Sequence, residues 1–147
     1  MTRRRPVVLS VVDRFRPRTD RRLVTAVVEA TLDHCERRDL EVSLLLTDDA
    51  GIAELHGEFL GDPTPTDVMS FLTDDVADLV VNVQRARKEA RARKVSIRSE
   101  VALYIAHGLL HVCGHDDHAP RARRRMREAE RAILARIGLS PALVDEV

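Results

Sequence analysis

Four of the chain's six histidines and two of its aspartates are crowded into the twelve residues from His107 to His118, and no other stretch constrains the fold as much. His107 and His111 are four residues apart, so on a helix their rings project from one face about one turn apart. The run Val101, Leu103, Ile105 to His111 predicts that helix, with Ser99 as its N-cap and Gly114 as its terminator. A turn at Gly114 brings Asp116, Asp117 or His118 back toward the same point. An isolated His pair at this spacing usually makes ordinary hydrogen bonds. The density of ligand-type side chains here, flanked by apolar Leu109, Leu110 and Val112, favours a metal site instead. A catalytic zinc takes three protein ligands from His, Asp or Glu and keeps a fourth position open.

The rest of the chain must therefore supply a scaffold for one helix and the loop after it. At 147 residues it has the length of one domain, 1–147, able to bury about 68% of its unfolded surface. Hydrophobic residues make up 44% and aromatic residues only 3%, so Leu, Val, Ile and Ala must fill the core. Strands are expected at Val7–Val12, Val42–Leu46, Val68–Leu72 and Leu79–Val83. Helices are expected from Asp20 to near Arg38, from Thr47–Asp49 through Phe59, over Gln84–Lys94, and from Pro120 to Gly138. Thr73 to Ala77 reads as a hairpin connection, and Gly61-Asp62-Pro63-Thr64-Pro65 as a loop. The fold class expected is α+β: a small mixed sheet of about four strands packed by helices.

No apolar run reaches the roughly 20 residues of a membrane span, and Thr2-Arg3-Arg4-Arg5 leads into no signal-peptide core. The expectation is a cytoplasmic protein with no membrane partner. Cys35 and Cys113 give no disulfide framework.

The formal charge is zero, yet no Lys or Arg occurs from Asp39 to Gln84, where acids recur. Basic clusters follow at Arg85–Arg98 and Arg121–Arg131. Solvated helix faces and a phosphate-binding surface fit these clusters equally well.

Two other metal chemistries meet specific obstacles. A zinc peptidase of the His-Glu-x-x-His type needs a carboxylate after its first His, where this chain has Gly108. A structural zinc site is usually closed by four ligands rich in Cys, and Cys113 is the only nearby thiol.

His107-Gly108-Leu109-Leu110-His111-Val112-Cys113-Gly114-His115-Asp116 resembles the YbeY signature His-Gly-x-Leu-His-Leu-x-Gly-Tyr-Asp-His. Thr66-Asp67-Val68-Met69-Ser70-Phe71 resembles that family's Thr-Asp-Val-Leu-Ser-Phe block, and Ala77-Asp78-Leu79 its Gly-Asp-Ile strand start. The resemblance spans roughly Leu44 to Gly138. It implies a single-strand-specific, zinc-dependent endoribonuclease acting in ribosomal RNA processing, in 16S 3′-end maturation and in ribosome quality control. The implied partners are ribosomal RNA and the small ribosomal subunit, with ribosomal proteins or an assembly GTPase. One Zn2+ per chain is expected on His107, His111 and a third ligand. The family's final motif His falls in register on Asp117, with His118 one place beyond, and the gapless register favours Asp117. Asp67 and Ser70 become candidate neighbours of the metal, and Arg85, Arg91, Arg124 and Arg127 candidate RNA contacts. Leu60 stands where the family usually carries Arg. Two alternatives stay open: a metal-dependent hydrolase of another substrate, and a zinc-stabilised ribosome-assembly factor without nuclease activity, the version that this departure supports.

Overall fold

A computed structural model describes residues 5–140 and Val144; residues 2–4 of the arginine-rich start lie outside that range. The element order is β1 (Val8–Asp13), α1 (Arg21–His34), β2 (Glu41–Thr47), α2 (Asp49–Leu60), β3 (Val68–Thr73), β4 (Val76–Asn82), α3 (Val83–Arg93), α4 (Ile97–Val112) and α5 (Pro120–Arg136). One four-stranded sheet runs in the order β1-β2-β4-β3. β1, β2 and β4 are parallel, and β3 adds as an antiparallel edge strand. The α+β expectation holds.

Strand alternation divides the sheet into two faces. Val42, Leu44 and Leu46 of β2 and Ala77, Leu79 and Val81 of β4 are buried in one main core with α1, α4 and α5. α4 is the centre of that layer, with ten buried residues out of sixteen. The opposite face carries a minor core, where Ile52 of α2 packs with Met69 and Val80. Two carboxylates cap helices as the sequence suggests: Asp20 accepts from the Arg22 amide, and Asp48 from that of Gly51.

Several boundaries differ from expectation for local reasons. α1 stops at His34 because Glu36 turns left-handed, φ 55°, and the Arg37 amide returns to the Leu32 carbonyl. This is a Schellman-type closure made without glycine, so no residue type announced it. α4 starts at Ile97, capped by Ser96 rather than Ser99: the Ser96 hydroxyl accepts the Ser99 amide. β4 begins at Val76, after a tight turn with Asp74 at φ 54°. It ends at Asn82, which caps α3 and so places Val83 in the helix.

Candidate metal centre

α4 delivers two of the three ligand-type side chains. His107 Nε2 and His111 Nε2 lie 3.1 Å apart, with the rings edge-on at 82°. The third arrives through the turn after the helix. Gly114 adopts φ 100°, a backbone state strained for any residue with a Cβ, and its amide bonds the His111 carbonyl. The His115 amide bonds back to Leu110, and the Arg123 guanidinium holds the Asp117 carbonyl. Asp117 Oδ2 then sits 3.7 Å from both imidazole Nε2 atoms. His118 does not join this trio; its side chain is 91% exposed beside Asp116.

The donor set fits a small divalent ion. The nearest point equidistant from the three atoms lies about 2.0 Å from each, within reach of the 2.0–2.2 Å of zinc bonds to imidazole and carboxylate. The tautomer also fits. Glu130, on α5 and 1% exposed, accepts from His107 Nδ1 at 2.9 Å, so the proton resides there and Nε2 presents its lone pair. Burial opposes the charged form of His107, but the Glu130 bond and charge, aided by Asp117, outweigh it and raise its pKa above the ordinary value.

Gly108 has a structural reason to be glycine. A Cβ there would meet Val68 Cγ2 at 3.0 Å and Leu79 Cδ2 at 3.2 Å, because α4 lies close against the sheet. Any side chain at this position crowds Val68 and Leu79, so glycine suits the close packing of α4 on the sheet, and the peptidase carboxylate is absent here. Gly108→Glu is expected to destabilise the fold by about 3 kcal/mol or more, through overpacking and a buried charge. Thermal unfolding monitored by circular dichroism checks this, and a melting temperature equal to wild type would contradict the packing argument.

Beside the trio lies a polar cavity of about 290 Å3, whose lining includes Asp67, Arg85, Arg93, Glu100, His107 and Arg127. Asp67 enters it from the start of β3, its carboxylate fixed by the Val68 amide at 2.7 Å. Buried Asn82 ties this corner together: it donates to Asp49 and the Thr66 carbonyl, and its own amide donates to the Asp67 carbonyl. Ser70 lies three residues beyond Asp67, on β3 and outside the cavity lining. Arg85 and Arg127 reach the cavity. Arg91 lines a separate depression with Gln84 and Lys88, and Arg124 is exposed on α5.

Sequence reasoning missed Glu130 and Glu100, and placed Arg93 only within the basic cluster. A signal existed for Glu130, which falls on the Met126, Ala129, Ile133 stripe where an apolar residue belongs. Buried Glu100 is balanced by Arg93 at 2.8 Å. Cys113 is not part of the trio; it and Cys35 are both half-buried free thiols.

Comparison with known proteins bears on the same residues. The family model described as Endoribonuclease YbeY matches residues 12–138. Curated proteins named Endoribonuclease YbeY are similar: 37% identity for Carboxydothermus hydrogenoformans, covering 80% of this chain and 85% of that protein. The Roseiflexus relative is 32% identical over 92% of this chain and 95% of its own length. The Myxococcus xanthus relative is 34% identical over 80% of this chain, which spans only 44% of that longer protein. A solution structure from Thermotoga maritima shares the fold, with TM-score 0.64 and 19% identity over 87% of this chain and 90% of that one. With the family model matching nearly the whole chain, the protein belongs to the YbeY family of endoribonucleases.

Proposed function

We propose that the protein is a zinc-dependent, single-strand-specific endoribonuclease, with one Zn2+ per chain held by His107, His111 and Asp117. Its proposed role is ribosomal RNA processing, in 16S 3′-end maturation and ribosome quality control, in the cytoplasm and on the small ribosomal subunit. Ribosomal proteins or an assembly GTPase are the protein partners this role brings. The observation that carries the reading is the trio of donor atoms opening onto a polar cavity where Arg85, Arg93 and Arg127 stand among carboxylates. Among the described residues no helix is long and apolar enough to cross a membrane.

When bound there, zinc supplies a Lewis acid that polarises a phosphodiester oxygen and acidifies water. The chain's own groups do the rest. Glu130 keeps the His107 proton on Nδ1. Asp67 places a fixed carboxylate in the same cavity, where it can accept a proton from a reacting hydroxyl or water. Arg85 and Arg127, from α3 and α5, offer guanidinium groups to the phosphates of a single strand passing the site, while Arg91 and Arg124 extend the cationic surface beyond it. Such contacts position the backbone without reading sequence.

The test is cleavage of a 16S ribosomal RNA precursor by metal-loaded protein. In the double variant Arg85→Glu, Arg127→Glu, RNA affinity should fall and the dependence of log K on log[salt] should flatten by about one to two units. An unchanged slope would remove these arginines from the interface. One observation favours a second reading, a non-catalytic assembly factor: Leu60, 61% exposed at the end of α2, occupies the position where the resemblance calls for Arg. RNA binding without cleavage by the metal-loaded protein would decide for that reading.

A further inference from the structure

The sheet is covered unequally. α1, α4 and α5 close one face, whereas among the described residues α2 alone lies over the other, with Ile52 over Met69 and Val80. The register puts Val8, Ser10 and Val12 of β1 on this second face, beside Glu41, Ser43 and Leu45 of β2. Between that strand pair and α2 runs a groove of about 610 Å3 lined chiefly by apolar side chains, including Val12, Leu45, Leu55, Phe59, Met69 and Phe71. Val12 is 52% exposed and Phe59 62%, both unusual for side chains of that size. A continuous apolar depression on a soluble protein marks a surface that another molecule covers.

Its charge says what kind of molecule. Asp78 lines the groove, Glu41 projects from the same face, Glu54 and Glu58 stand exposed on α2, and Asp74 and Asp75 form the adjoining hairpin turn. Arg14 is the one cation in the lining. The segment from residue 39 to residue 84, which supplies most of this face, contains no Lys or Arg.

We propose that this groove docks a cationic amphipathic helix of a partner protein, its apolar side chains over Val12, Leu45 and Phe59 and its Lys or Arg residues against the acidic rim. The docking face lies across the sheet from His107 and His111, so the inference stands independently of the nuclease reading. A second copy of the chain is the weaker occupant. Its cationic helices α3 and α5 would make a head-to-tail contact and would withdraw those arginines from RNA.

The probe is a labelled 18-residue synthetic helix with Leu on one face and Lys on the other, titrated with the metal-loaded full chain by fluorescence anisotropy. Controls are a scrambled peptide of the same composition and a Leu/Glu helix. The Leu/Lys helix should bind at least about tenfold more tightly than either control. Val12→Lys and Phe59→Lys, both at exposed positions, should each weaken it about tenfold while metal content and the melting curve stay at wild-type values. Equal affinity for the scrambled or Leu/Glu peptide would overturn the proposal, as would binding that both variants leave intact. Self-association in sedimentation velocity that both variants abolish would also overturn it, and would assign the groove to a second copy.

Discussion

Replacing His111 by alanine is expected to leave purified protein without its equivalent of zinc and to lower cleavage of a ribosomal RNA precursor by about 10³-fold. The expectation follows from the donor geometry. His107 Nε2, His111 Nε2 and Asp117 Oδ2 form a triangle with sides of 3.1, 3.7 and 3.7 Å, and removing a corner leaves two ligands for an ion that takes three in catalytic sites. His107→Ala should behave in the same way, and it carries the control for contaminating nuclease, because a contaminant survives the substitution. The loop gives a sharper comparison. Asp117→Ala should lose metal, whereas His118→Ala, altering a side chain 91% exposed, should retain one equivalent. Elemental analysis of all four variants decides the ligand set. A full equivalent of zinc in His111→Ala would eliminate the proposed site.

The part of this site legible in the sequence was the part built from contiguous residues. Helical spacing placed His107 and His111 on one face, and Gly114 announced the turn because its positive φ leaves little choice of residue. Parallel strands were legible for a similar reason, since the Val and Leu runs of β2 and β4 alternate into a buried face. What escaped was anything that depends on two distant segments meeting. Glu130 approaches His107 from 23 residues away, and Asn82 joins the ends of β4, α2 and the loop before β3. Their meeting is set by how α5 and α2 pack, which no local pattern encodes. The start of α4 failed differently: Ser96 and Ser99 are both good caps, and the choice between them fell to Lys94, whose left-handed turn ends α3 just upstream.

Glu130 is where stability and metal chemistry are coupled most tightly, so its substitution should have the second large effect. Glu130→Ala removes the acceptor of the His107 Nδ1 proton and the carboxylate 3.7 Å from Arg127 Nη1, leaving both partners without it. Because His107 and Arg127 keep 24% and 30% exposure, losing the carboxylate should cost about 1–3 kcal/mol, a melting temperature lower by about 5 °C in a chain of this size. Loss of the carboxylate that orients a ligating histidine should also weaken zinc binding by about 10- to 100-fold. Glu130→Gln separates the two effects, because it keeps the shape and an acceptor oxygen while removing the charge. In metal-free protein, Glu130 helps raise the His107 pKa in the folded state. A raised histidine pKa contributes stability that is fully present below the unfolded value of about 6.5 and disappears as pH rises through the folded value. The stability gap between wild type and Glu130→Gln should therefore be widest on the acid side of that window and narrow toward alkaline pH. Zinc competes with protons for His107, so zinc's own stabilisation of the wild type should grow in the opposite direction. Chemical denaturation across that pH range, with chelator and with zinc, measures both trends. A metal-free gap that stays flat, or widens as pH rises, would show that Glu130 acts through packing alone and not through the charge it presents to His107.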